Sequence, residues 1–182
     1  MVIIALLSGS TRSGSTNTAA LRTIAELAPV SVTTRLYEGL TDLPAFVPDA
    51  DGGPVVDDLR RQLAEADAVL ICSPEYAGTV PGSLKNLIDW TVGSGELYRK
   101  PVAFINVAAA GRGSGADATL RTVLGYVDAD IVEAACVRVT VGRDAVGSSG
   151  TVVDPALRSR LADVLSAIVA HLGTTVRPLE QA

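Results

Sequence analysis

The chain is 182 residues long, carries a net charge of −5 and contains one histidine. A protein that grips nucleic-acid phosphates needs a clustered basic face, so no nucleic-acid partner is expected, and the apolar runs are of strand length, too short for a membrane span. Apolar residues make up 48% of the sequence but aromatics only 4%, which points to a core of Ala, Val, Leu and Ile of the kind found in parallel sheets covered on both faces.

One domain spanning 1–182 is expected at this length. The start, MVIIALLSGS, has no basic segment ahead of its apolar run and passes directly into a glycine turn. Residues 2–7 are therefore read as a first strand and the protein as cytoplasmic. The segment TNTAALRTIAELA places Leu21, Ile24, Ala25 and Ala28 on one helical face, with Ser15 or Thr16 as its cap. Further strands are predicted at 31–36, 68–72, 102–108 and 135–141, and further helices near 55–66, 81–91 and 115–127, with Pro81 in a first turn. A last helix follows Asp154 as cap and Pro155 in its first turn, with an apolar stripe from Leu157 through Leu161, Leu165 and Ile168 to Leu172. The turn-rich stretches TDLPAFVPDADGGP and GRDAVGSSGTVVDP are read as surface loops within the domain.

Alternating strands and helices form repeated βαβ units, and right-handed crossovers lead to an α/β fold with a five-stranded parallel sheet in the order 2-1-3-4-5. Ligands of such sheets lie beyond the carboxyl ends of the strands, where the strand order reverses. The loops after Leu7 and after Ser73 are thus expected to meet over one ligand.

The first of these loops reads GSTRSGSTNT at 9–18. Gly9-x-x-x-x-Gly14 followed by Ser15 and Thr16 is a triphosphate loop without its lysine, because Ser15 stands where that residue belongs. No strand ends in a plain magnesium-holding aspartate either, so the NTPase reading is disfavoured. A helix N-terminus with the hydroxyls of Ser10, Ser15, Thr16 and Thr18, the amide of Asn17 and the guanidinium of Arg12 suits a monophosphate. Taken alone, the same residues also make an ordinary capped turn with no ligand.

The second loop, PEYAGTVPG within the stretch SPEYAGTVPGSLKNLIDW, tips that balance. Pro74 stiffens it, Glu75 and Thr79 are polar, Tyr76 offers an aromatic face, and Gly78 lets backbone approach a flat ring with the N–H groups of Ala77 to Thr79 available to ring carbonyls. A planar heterocycle beside a monophosphate is the implied ligand. The third loop, AAAGRGSGA, contains Gly111-x-Gly113-x-x-Ala116, a weak match to a dinucleotide fingerprint that sits after the wrong strand. Gly111 is read as part of a third wall of the same pocket.

These motifs resemble those of the NADPH-dependent FMN reductase family, flavodoxin-like three-layer flavoenzymes that include quinone, chromate and azo-dye reductases. The phosphate-loop pattern G-S-x-R-x-x-S-x-N is matched by Gly9, Ser10, Arg12, Ser15 and Asn17. The ring-loop pattern P-E-Y-N-x-S-x-P-G-x-L-K-N is matched by Pro74, Glu75, Tyr76, Pro81, Gly82, Leu84, Lys85 and Asn86. Ala77 and Thr79 depart from it, standing where the family has asparagine and serine. The resemblance implies bound FMN, NADPH or NADH as co-substrate, a small-molecule electron acceptor such as a quinone or free flavin, and a homodimer or homotetramer. It implies no catalytic acid or base, since the hydride chemistry belongs to the flavin.

Other readings stand beside this one. A non-enzymatic FMN electron carrier usually clamps its ring between aromatics, whereas Tyr76 is the only aromatic in these loops; a flavin-free binding module of the same fold is the other alternative. Cys72 and Cys136 lack metal or disulfide spacing and read as core thiols, a redox role for Cys72 being the minor alternative. Lys85 is equally a solvated helix residue, Glu75 equally an organiser of its own loop, and His171 a structural residue. The stretch around Trp90 either packs on the sheet or forms a subunit contact.

Overall fold

Side chains along β1 (Val2–Ser8) alternate between two cores: Ile4 and Leu6 enter one, Ala5 and Leu7 the other, as a strand covered on both faces requires. The computed structural model describes residues 1–175. In it β1 is flanked by β2 (Val32–Tyr37) and β3 (Ala68–Cys72), followed by β4 (Pro101–Ile105) and β5 (Asp130–Ile131). All pairings are parallel and the order is β2-β1-β3-β4-β5, as predicted.

Helices α1 (Thr16–Leu27) and α5 (Pro155–Thr175) cover the Ile4 face, burying Leu21, Ile24, Leu161 and Ile168 completely. The Leu7 face is covered by α2 (Pro54–Glu65), α3 (Gly82–Val92) and α4 (Ser114–Tyr126) through Leu59, Leu84, Trp90 and Leu120. Each fully buried Leu or Ile contributes about 2 kcal/mol relative to exposure, so the two cores together hold the three layers. No helix among the described residues is long and apolar enough to cross a membrane.

Helix ends follow the local chemistry. Ser15 Oγ accepts from Asn17 N at 3.2 Å and caps α1, and Asp154 Oδ1 accepts from Leu157 N at 2.9 Å at the start of α5. Pro81 is the N-cap of α3 and Gly82 its first helical residue, a shift of one position from the expected first-turn proline.

The last strand needs correction. Pairing with β4 begins at Asp130 and Ile131, breaks at a 3-10 turn over Glu133–Ala135, and resumes irregularly where Val139 N donates to Asn106 O and Val141 N to Val107 O. The turn tucks Ala135 into the core while Glu133 turns outward to pair with Arg121 at 2.5 Å. The predicted strand at 135–141 therefore lies beside β4, but as hydrogen-bonded extended chain with one bridge, Asn106 to Arg138, rather than a regular ladder. Regular β4 likewise ends at Ile105 rather than 108; beyond it Asn106 and Val107 keep only the irregular backbone bonds to 137–141.

Trp90 is settled in the core. It is 1% exposed, its Nε1 donates to Pro44 O at 2.9 Å, and its ring meets Phe46 edge-on with centroids 5.1 Å apart. Asn86 completes this rivet, accepting from Phe46 N and donating to Pro44 O. The long loop after β2 is thereby fastened to α3.

Candidate functional site

The ladder between β1 and β3 runs on by one bond, from Gly9 N to Cys72 O at 2.9 Å, so the first and second loops leave the sheet side by side. Their closeness depends on the missing side chain at Gly9: a Cβ there would lie 2.5 Å from Ser73 Oγ and 3.0 Å from Leu84. This is the strand-order reversal at which the sequence placed a ligand.

Within the first loop, hydroxyls shape the chain. Ser8 Oγ and Thr18 Oγ1 are 2.8 Å apart, Ser10 N lies 3.3 Å from Ser8 Oγ, and Arg12 N lies 3.3 Å from Ser10 Oγ. The result is a turn whose tip, Thr11 to Gly14, is exposed. The N–H groups of Ser13, Gly14, Ser15 and Thr16 have no acceptor among the described residues. Together with the positive end of α1 they form an anion-binding concavity, and the exposed Arg12 guanidinium stands beside it. The residues present fit a phosphate monoester.

The residues of that loop divide by burial. Ser10, Arg12, Thr16 and Thr18 are at least partly accessible, whereas Ser15 and Asn17 are buried. Asn17 turns inward: its Oδ1 accepts from Cys72 Sγ at 3.3 Å and its Nδ2 lies 3.5 Å from Ser15 Oγ. Its amide therefore braces α1 against β3. Cys72 is fully buried, and burial, reinforced by the charge of Asp117, pushes its thiol well above the ordinary thiol range. A thiol so held fits a structural group rather than a redox one.

The second loop is a two-residue hairpin. Tyr76 N donates to Thr79 O at 2.9 Å and Thr79 N to Tyr76 O at 3.1 Å, and the residues between them, Ala77 and Gly78, have φ of 50° and 79°. Positive φ at both central positions is the arrangement for which Asn-Gly is the favoured pair. The hairpin tip leaves the N–H groups of Ala77 and Gly78 without protein acceptors among the described residues, and Tyr76 is 52% exposed beside them. Pro74 is half-buried at the loop's base, where Ser73 Oγ donates to its carbonyl at 2.9 Å.

Hairpin and third loop touch. Glu75 Oε2 accepts from Gly115 N at 2.6 Å and Ala116 N at 3.1 Å, and Thr79 Oγ1 is 2.7 Å from Thr119 Oγ1. The third loop is also held from within: Asn106 Nδ2 donates to Gly113 O at 3.0 Å, its Oδ1 accepts from Ala108 N, and Arg138 donates to the carbonyls of Ala108, Ala109 and Arg112. Gly111 lies at the exposed tip with φ of 76°. Lys85 lies away from these contacts, paired with Asp89 at 2.5 Å.

Several residues of this architecture escaped the sequence reading. Beside Gly9, which the loop motif already marked, Gly115, Asn106 and Arg138 position the loops, and Arg22 lines a cavity of about 300 Å³ beside the first loop with Ser8, Thr11 and Arg12. Two left a trace: Asn106 and Arg138 each interrupt an apolar stretch. Arg22 and Gly115 gave none, because their roles depend on distances between loops.

The family model described as NADPH-dependent FMN reductase matches residues 1–144. This chain belongs to that family. Among reductases similar to it, a quinone reductase of Escherichia coli is 36% identical over 137 residues, covering 71% of this chain and 72% of the relative. An NAD(P)H-dependent FMN reductase of Pseudomonas aeruginosa is 32% identical over 169 residues, covering 89% and 90%. The solved structure of a flavoenzyme NAD(P)H:(acceptor) oxidoreductase from Paracoccus denitrificans superposes with a TM-score of 0.77 at 26% identity, covering 96% of this chain and 98% of that one. As an FMN reductase family member the chain is an oxidoreductase with the flavodoxin-like fold, FMN as its cofactor and NAD(P)H as electron donor.

Proposed function

We propose that this flavoenzyme passes electrons from NADPH or NADH, by way of FMN, to a quinone, a free flavin or another small acceptor. The observation that carries the assignment is the convergence of three loops at one end of the sheet, with unpaired amides at the first loop and at the hairpin tip. In this reading the FMN phosphate is held by the amides of 13–16, the hydroxyls of Ser10, Thr16 and Thr18, and Arg12. Ser15 and Asn17 keep that loop in shape. Pro74 to Thr79 line the ring through the Ala77 and Gly78 amides, and Gly111 belongs to a third wall.

FMN supplies hydride acceptance from the nicotinamide and release of electrons to the acceptor. The chain's own contribution is to orient and to stabilise charge. Hydrogen-bond donors at a rigid hairpin tip need no reorganisation when negative charge develops on a ring edge, which is the economical way to stabilise a reduced ring. His171 is not placed to take part: it pairs with Asp130 at 2.7 Å, at the amino end of β5 and so at the end of the sheet opposite the three loops.

The same reading includes a cytoplasmic location and a homodimer or homotetramer, the oligomer supported by the exposed side chains of Val92, Tyr98 and Tyr126, the last 90% exposed. A clean monomer in sedimentation at micromolar concentration would remove the oligomer. For the activity, purified protein is expected to bind FMN and to oxidise NADPH when a quinone is supplied. Absence of FMN binding at high micromolar concentration would overturn the assignment, and reduction that stops at the flavin with every acceptor tested would make the protein a carrier.

A further inference from the structure

We propose that Glu75 is a positioning residue that sets the flavin cleft by capping α4 from outside the helix; the inference rests on reading 73–79 as the ring loop. Helix α4 starts without a cap of its own. Gly113 occupies the N-cap position with φ of 88° and no side chain to accept from the first turn. The free amides of that turn must find acceptors elsewhere. Gly115 N and Ala116 N find one in Glu75 Oε2, forty residues earlier in the chain. A carboxylate at a helix N-terminus makes charge-assisted bonds and meets the positive end of the helix dipole, so this contact is stronger than a neutral one.

What the contact holds is the hairpin of 76–79, which pairs with no strand of the sheet. Beyond Glu75, Thr79 meets Thr119, and Thr119 Oγ1 donates back to Gly115 O at 2.8 Å. Between the two stitches, the Gly78 carbonyl lies so close to Gly115 that a Cβ at 115 would overlap it. The hairpin is thus sewn along the first turn of α4, and the amides of Ala77 and Gly78 take their place from that seam. Glu75 also occupies the positive end of α4, which leaves the hairpin amides as the donors facing a bound ring.

The test compares Glu75→Gln, Glu75→Asp and Glu75→Ala. Gln keeps the reach and one acceptor oxygen; Asp keeps the charge but is one methylene short. In flavin-free protein, amide hydrogen exchange at Gly115 and Ala116 is expected to accelerate about tenfold or more in the Ala and Asp variants and less in Gln. The dissociation constant for FMN should rise in the same order, with Gln restoring most of the binding. Unchanged exchange at Gly115 and Ala116 in the Ala variant, or Asp binding FMN as well as Gln, would overturn the proposal. If wild-type protein fails to bind FMN, the ring-loop reading falls, while the exchange measurement still decides whether the cap exists. Should the Ala variant not fold, the Gln and Asp variants alone carry the comparison.

Discussion

Tyr76 and Thr79 exchange both of their backbone hydrogen bonds across a turn in which Ala77 adopts a left-handed backbone. Alanine carries a steric cost in that region that asparagine largely escapes. Ala77→Asn is therefore expected to stabilise the protein by about 1 kcal/mol, raising Tm by roughly 2–4 °C for a chain of this size. Its FMN affinity should be equal or higher, since the amides at the tip are retained. A lower Tm in a thermal unfolding scan would contradict the turn geometry.

Gly9 separates the first loop from Ser73 and Leu84 with no space for a methyl group. Gly9→Ala should cost about 1–3 kcal/mol through overpacking and weaken FMN by about tenfold, because in the proposed site the two loops it pushes apart both face the ligand. Isothermal titration and denaturant melts measure the two effects separately. Full retention of both values would show that the loops can slide apart without consequence.

Arg12 and Ser15 lie three residues apart in one loop, yet their substitutions should fail differently. Arg12 is exposed and makes no side-chain bond among the described residues, so Arg12→Ala should change stability by less than about 0.5 kcal/mol while weakening FMN roughly tenfold to a hundredfold. Ser15→Ala removes the cap of α1 and should lower stability by about 1 kcal/mol. If the Arg12 variant binds FMN normally, the phosphate is held elsewhere.

The Tyr37 hydroxyl is buried without a partner among the described residues, and burial first, then the charges of Asp58 and Asp42, push its pKa up to about 12. The unfolded phenol ionises near its ordinary value of 10.0. The folded state therefore holds a proton that the unfolded state has lost, and stability contributed by this group is complete below pH 10 and lost as pH rises towards 12. Titration of phenolate absorbance should show one of the four tyrosines ionising late. Tyr37→Phe should remove that late step and leave stability unchanged or raised by up to about 1 kcal/mol, since no bond is given up. A late step that persists in the variant would mean another tyrosine is responsible.

Cys72 offers a simpler check. Its buried thiol should resist alkylation in native protein at mildly alkaline pH and react on unfolding, whereas half-buried Cys136 should react at an intermediate rate. Fast labelling of Cys72 in folded protein would reopen its redox role.

The sheet and the five helices were legible because periodicity in the sequence is set by the same alternation of faces that buries Ile4 against α1 and Leu7 against α3. The last strand was misplaced because its apolar content, from Ala135 to Val141, is what a strand needs but does not report the turn that feeds Ala135 to the core. The two candidate loops stand out by residue type, since a phosphate demands hydroxyls and amides in any setting. The division of labour inside them was not legible: Asn17 reads as a ligand donor in sequence, whereas its amide turns inward to Cys72 on the neighbouring strand, a direction that residue type alone does not report. Ala77 reads in sequence only as a departure from the family's asparagine, and its backbone angle shows that the residue's conformation is at stake as well.

The contact between Gly78 and Gly115 makes two distant stretches of sequence a single module for engineering. A ring loop borrowed from another reductase to change acceptor range will seat only on an α4 that offers a glycine at 115, and it must bring a carboxylate long enough to reach the amides there. Loop exchange in this protein should therefore move 73–79 and 113–119 together, as one cassette.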